Sequence, residues 1–126
     1  MGVKKPMKRE EWREKIIKYA QDAGTYHTFF EESINTLACI LEKRDEAHEQ
    51  FEQTGGNVVI KHTNKGGATN LMQNPLLRAV NDLNRDALTY WKELGLTPSS
   101  LRKLNENALE VKSENALIAV LKEMNG

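Results

Sequence analysis

The sequence predicts a mainly α fold, built of helical hairpins with one long helix, a short β-hairpin or extended glycine-rich insertion, and a helix-turn-helix-like C-terminal half. Three observations carry this expectation. Apolar residues recur at steps of three and four along most of the chain. A β-branched run, Val58, Val59 and Ile60, stands between the glycine pairs Gly55-Gly56 and Gly66-Gly67, a composition that disfavours helix. Asn74-Pro75 and Thr97-Pro98 each set a side-chain cap directly before a proline suited to the first helical position.

Trp12, Ile16, Ile17 and Ala20 recur at helical spacing with Gly24 as a left-handed terminator, which predicts a first helix from about Arg9 to Ala23. A second helix starts at Thr28, whose hydroxyl caps the first turn while Glu31 closes a capping box, and it ends at Gly55-Gly56. From Thr28 to Gln53 it would span about 39 Å, the longest element of the chain. Phe30, Ile34, Leu37 and Leu41 form a heptad seam on it, continued through Arg44 and His48 to Phe51, so that two polar residues interrupt the stripe. Ile40 and Ala47 widen the face. The seam therefore fits packing inside the domain against the first helix, or packing partly against its copy in a neighbouring subunit.

Asn57 to Thr63 reads as a strand that turns at Asn64-Lys65-Gly66-Gly67 and returns through Ala68 to Met72, or as an extended loop. The helix opened by Asn74-Pro75 carries Leu77, Val80, Leu83 or Asn84, Ala87, Trp91 and Leu94 on one face, and Gly95 stops it. Thr97-Pro98 then begins a short helix to about Asn107 with Leu101 and Leu104 facing inward. A last helix runs from Ser113 to Met124, stapled by Leu117, Val120, Leu121 and Met124. The chain divides into a flexible basic arm over 1–9, a single helical domain over 10–110, and a C-terminal helix or tail over 111–126.

With 39% apolar and 29% charged residues in 126, the chain suits one modest domain whose small core invites help from other subunits. One cysteine, Cys39, excludes an intrachain disulfide and a four-cysteine zinc site and suits a reducing compartment. The N-terminus lacks the apolar stretch of a signal peptide and no run of about 18 apolar residues occurs, so the expectation is a soluble, cytoplasmic protein with no membrane partner. The net charge is zero but unevenly spread. Residues 1–9 carry +4, residues 25–56 carry −5, residues 57–104 carry +4 and the last 22 carry −2. Solvated helix faces account for much of this, and the two basic segments remain candidate phosphate contacts.

Catalytic signatures are lacking. Neither glycine pair is followed by the lysine and hydroxyl of a phosphate-cradling loop. The stretch from His48 to Glu52 imitates a zinc-protease helix, yet Glu52 occupies the position of the second histidine, and Asp45 with His48 supplies only half of a di-iron carboxylate pattern. Cys39 has no activating neighbour in sequence. No cofactor or metal is expected.

The stretch WKELGLTPSSLRKL, Trp91 to Leu104, suits either a helix-turn-helix or a plain helical hairpin. With Gly95 as the turn glycine, Leu94, Leu96, Leu101 and Leu104 fall at core positions of the DNA-reading template, but Trp91 falls where closely approaching helices call for alanine.

Residues Gly55 to Leu104 resemble the phage terminase small-subunit family, whose domain ends in a helix followed by Leu-Gly-Leu-Thr-Pro. The specific parts are Asn74-Pro75 opening a helix, then Tyr90-Trp91, then Leu94 to Ser99. The resemblance implies a non-catalytic subunit that recognises viral double-stranded DNA at the packaging start, assembles as a ring larger than a dimer, and recruits a large subunit carrying ATPase and nuclease. It places the protein in the cytoplasm of an infected bacterial host. The candidate DNA contacts are Arg102 and Lys103, then Lys61 and Lys65, then Lys4, Lys5, Lys8 and Arg9. Phe30, Ile34, Leu37, Leu41 and Trp91 are the candidate oligomerisation residues. The competing expectation is a helix-turn-helix transcription regulator acting as a two-fold dimer.

Overall fold

The computed structural model describes residues 5 to 125. Three helices, α1 (Arg9–Ala23), α2 (Glu31–Gln53) and α3 (Pro75–Glu93), form the body; β1 (Val59–Thr63) and β2 (Thr69–Gln73) make a hairpin between α2 and α3, and α4 (Pro98–Asn125) follows the turn at Gly95. The fold is mainly α with a short antiparallel hairpin, as the hydrophobic periods and the β-branched run predict.

The middle helix organises the body. α2 packs against α1 on one side and α3 on the other, which is why Ile34, Leu37, Ala38 and Leu41 are fully buried together with Ile16 of α1 and Ala87 and Leu94 of the α3 segment. Burying a side chain of this size stabilises the fold by about 1.5–3 kcal/mol. Phe30 and Trp91 are half-buried against the same cluster. The centre of the heptad seam thus lies wholly inside its own chain, and Ile34, Leu37 and Leu41 present no surface to a neighbouring subunit.

The polar interruption of that seam has its own structural use. Arg44 reaches α3, where its Nη1 donates to Asn84 Oδ1 at 3.3 Å, and it lies over the Trp12 ring of α1 with 5.5 Å to the centroid. Asp45 accepts from Arg44 Nη2 at 2.8 Å and from Trp12 Nε1 at 2.8 Å. These partly exposed contacts tie the three helices at the end where the apolar core has run out.

Two local expectations are corrected. Residues Thr28–Phe30 form a single 3-10 turn before α2, and its cap is His27, whose Nδ1 accepts from the Phe29 N–H at 2.9 Å. No capping box forms between Thr28 and Glu31, because the Glu31 carboxylate is engaged by the Tyr26 hydroxyl at 2.9 Å and by Arg13 at 3.5 Å. That hydrogen bond, with a smaller contribution from burial, raises the Tyr26 pKa above its ordinary 10.0. The short fourth helix and the last helix are one continuous element, since no glycine or proline stands between Pro98 and Asn125 to interrupt the backbone.

The turn that launches α4 depends on Gly95. Its φ of +71° is left-handed, and a Cβ there would lie 2.5 Å from Leu104 Cδ1 and 3.3 Å from Thr25 Cγ2. Leu104 therefore closes over the glycine while Leu101 is half-buried. Thr97 and Ser100 cap the new helix reciprocally, their hydroxyls 2.6 Å apart.

Candidate nucleic-acid interface

The hairpin stands away from the helical body. Val59 pairs with Gln73, Lys61 with Leu71 and Thr63 with Thr69 in an antiparallel ladder of two strands, and among its ten strand residues only Ile60 is half-buried. A two-stranded hairpin alone is marginally stable in water, so its ends must be fixed. At the tip, Asn64 Oδ1 accepts from the N–H groups of Gly66 at 2.9 Å and Ala68 at 3.0 Å, and Gly67 supplies the positive φ the turn needs. At the base Asn74 is nine-tenths buried, and three of its bonds fix the hairpin and the start of α3. Its N–H donates to Val58 O at 2.8 Å, its Nδ2 to Asn57 O at 2.9 Å, and its Oδ1 accepts from Leu76 N–H at 3.0 Å. One side chain thus caps α3 and clamps the hairpin to it.

The electrostatics of this ribbon are one-sided. Between Glu52 and Asp82 the chain holds Lys61, Lys65 and Arg78 and no acid. Lys61 lies on the ladder and Lys65 at the tip, both exposed, with Asn64, Asn70, Thr63 and Thr69 as neighbouring hydrogen-bonding groups. A two-stranded ribbon is of a size that the major groove of B-DNA admits.

The other candidates lie elsewhere. Arg102 and Lys103 are exposed on the first turns of α4, where Arg102 Nε donates to Pro98 O at 3.3 Å. Glu106 follows one helical turn on and Glu110 another, so this basic pair sits beside acids. Lys5 lines an open groove with Met7, Trp12, Arg44 and His48. Lys8 is the N-cap residue of α1, and the Arg9 N–H donates to Glu42 Oε2 at 2.6 Å. Lys4 lies outside the described residues. The candidate basic residues are therefore spread over three places rather than gathered into one patch. Trp91 meets Tyr19 of α1, with ring centroids 6.3 Å apart.

Sequence reasoning passed over Arg78, although the missing acids from residue 53 to residue 81 were a readable signal. Leu117, Val120, Leu121 and Met124, expected to staple the last helix, all stand exposed. His48 and Glu52 pair at 3.6 Å along α2, and no cluster of three or more His, Cys, Asp or Glu side chains able to hold a metal occurs among the described residues. No helix among them is long and apolar enough to cross a membrane.

Comparison with known families matches residues 9–110 to the family described as phage terminase, small subunit. That span covers the three-helix body, the hairpin, the Gly95 turn and the start of α4. No curated protein and no solved structure matches the chain.

Proposed function

The chain belongs to the phage terminase small-subunit family, and from that premise we propose that it is a non-catalytic, homo-oligomeric subunit that helps recognise viral double-stranded DNA at the packaging start. It regulates the ATPase and nuclease of a large terminase subunit and acts in the cytoplasm of the infected bacterial host.

The observation that supports DNA recognition most directly is the projecting hairpin in an acid-free stretch of 29 residues, 53 to 81. Lys61, which shares one face of the ladder with Thr63 and Thr69, meets phosphates there together with Lys65 at the tip, and the threonine hydroxyls beside it add polar contacts. In an oligomer larger than a dimer the surplus is multiplied around one axis, so individually weak phosphate contacts add through multivalency. The start of α4 is the weaker site. Its basic pair is followed by acids, and α4 packs along no other helix, whereas the second helix of a DNA-reading helix-turn-helix is held across the first. The same geometry disfavours a dimeric helix-turn-helix regulator.

A salt series of gel shifts on viral double-stranded DNA tests the reading. The double variant Lys61→Glu, Lys65→Glu should weaken binding and flatten the salt dependence by about one unit of slope per lost contact. The pair Arg102→Glu, Lys103→Glu should leave both nearly unchanged. The reverse result would move DNA contact to the start of α4, and no effect from either pair would remove both sites. The isolated chain should turn over neither ATP nor DNA yet change the ATPase rate of the large subunit; robust turnover by the pure chain would sink the non-catalytic role.

A further inference from the structure

The hairpin has two unlike faces. Successive residues of a strand point to opposite sides, and residues paired across an antiparallel ladder point to the same side. The register pairs Val59 with Gln73, Ile60 with Met72, Lys61 with Leu71, His62 with Asn70 and Thr63 with Thr69. One face therefore carries Val59, Lys61, Thr63, Thr69, Leu71 and Gln73, and the other carries Ile60, His62, Asn70 and Met72. Ile60 is half-buried and Met72 opposite it is 38% exposed, so the second face is sheltered at its base. The first is open, with Leu71 73% exposed and Val59 52%.

Leu71 is the residue of that open face which the fold does not account for. A β-branched valine suits a strand on either side, and the lysine, threonines and glutamine are at home in water, but leucine is not among the residues a pleated ribbon favours. Its gain comes from leaving water. The chain's own body does not provide the cover, because among the described residues the hairpin packs along no helix.

The surroundings of Leu71 say what fits it. Lys61 is its cross-strand partner, Thr63 and Thr69 bring their hydroxyls to 3.1 Å in the next row, Lys65 stands at the tip, and no acid occurs between Glu52 and Asp82. The buried centre of a protein–protein interface is depleted of lysine, whereas here a lysine stands directly beside the apolar side chain. A polyanion that holds an apolar group between charged walls matches both. The major groove of duplex DNA is such a surface: it is about 12 Å wide, it admits a two-stranded ribbon, and the C5-methyl of thymine is the apolar group on its floor. The spacing agrees as well. Rows on one face of a ribbon stand about 6.8 Å apart, close to the rise of about two base pairs, so Leu71 and the threonine pair meet the floor two steps apart.

We infer that Leu71 reads thymine methyl groups in the major groove of double-stranded DNA. The open face of the ribbon lies toward the groove floor, the long Lys61 side chain reaches a phosphate on the wall, and the shorter Leu71 meets the methyl. This rests on the proposed DNA contact of the hairpin and adds a source of base preference, which lysines bound to phosphates do not supply.

Gel shifts on four duplexes of equal length test it: alternating A·T, the same with uracil for thymine, alternating G·C, and the same with 5-methylcytosine for cytosine. Within each pair the duplexes share their base pairing and differ only in the C5-methyl. Wild-type protein should bind the methylated member of each pair at least about threefold more tightly, the gain from one buried methyl. Leu71→Ser should abolish that ratio and leave the salt slope unchanged, whereas Leu71→Met should keep the ratio. Lys61→Glu with Lys65→Glu should weaken binding to all four duplexes and keep the ratio too. β1–β2 contacts in NMR confirm that each variant retains the hairpin. A wild type indifferent to the methyl overturns the inference, and the hairpin still stands as the DNA contact if the lysine variant weakens binding. A ratio that persists in Leu71→Ser, even with lower affinity throughout, places the methyl contact elsewhere and overturns it as well. If Leu71→Ser binds every duplex like wild type but loses stimulation of the large subunit, the open face belongs to that partner and the inference falls. If neither the leucine nor the lysine variant changes binding to any duplex, the inference and the hairpin as DNA contact fall together.

Discussion

The two long helices of this chain, α2 and α4, bear similar apolar stripes with opposite fates. Ile34, Leu37 and Leu41 on α2 recur at steps of three and four and have no exposed surface; Leu117, Val120, Leu121 and Met124 on α4 recur in the same way and are roughly half or more exposed. Propensity and period do not separate the two. What separates them is packing, since α1 and α3 flank α2 whereas among the described residues no element packs along α4. A periodic stripe states that a helix has a face to bury and is silent on which molecule supplies the cover.

The contrast is broken or sharpened most strongly by truncating one side chain on each helix. Leu37→Ala should cost about 2–5 kcal/mol in urea denaturation, because it opens a cavity among Ile16, Ile34 and Leu41. Leu109→Ala, at a site 64% exposed, should stay within about 0.5 kcal/mol. Equal losses at the two positions would mean that α4 is packed on its own chain after all.

Next in size comes the junction of the two regions. Gly95→Ala forces a left-handed φ on a residue with a Cβ and pushes Leu104 aside, and should destabilise by about 1–2 kcal/mol. Hydrogen exchange of the Leu101 and Leu104 amides should accelerate while the α2 amides lose only the global difference. Uniform acceleration across both helices would show that α4's start is integral to the body.

Asn74→Ala should cost about 1 kcal/mol as a lost cap, and it should loosen the hairpin in addition because Asn57 O loses its donor. Weakened β1–β2 contacts in NMR, with the α2 core unchanged, is the expected signature. An unaffected hairpin would mean that the Asn74 backbone bond to Val58 suffices as the clamp.

The smallest effect concerns the entry to α2. Tyr26→Phe removes the bond to Glu31, and since the folded pKa of Tyr26 is raised, its contribution is full below pH 10 and is lost as pH rises through the folded value. Melting differences between wild type and variant should be constant through neutral pH and shrink only in strong alkali; a difference that grew there would reverse the assigned cause.

The sequence by itself determined the elements and the family. Caps and breakers act within a turn or two, so Asn74-Pro75, Gly24, Gly95 and the glycine pairs located the ends of α1 and α3 and the hairpin to within a residue or two, and the Leu-Gly-Leu-Thr-Pro stretch carried the family. Short-range chemistry misled at the entry to α2, where a side chain had an unexpected competitor: Glu31 was drawn to Tyr26 and Arg13, and His27 took the cap. Asn107 to Ser113 suggested a break in α4 that no residue there enforces. The tertiary structure alone decided which apolar stripe became core, that Arg44 and Asp45 bridge three helices, and that the basic residues divide among hairpin, α4 and N-terminus. These depend on what stands opposite a face, and contact across tens of residues leaves no trace in the spacing of neighbours along the chain.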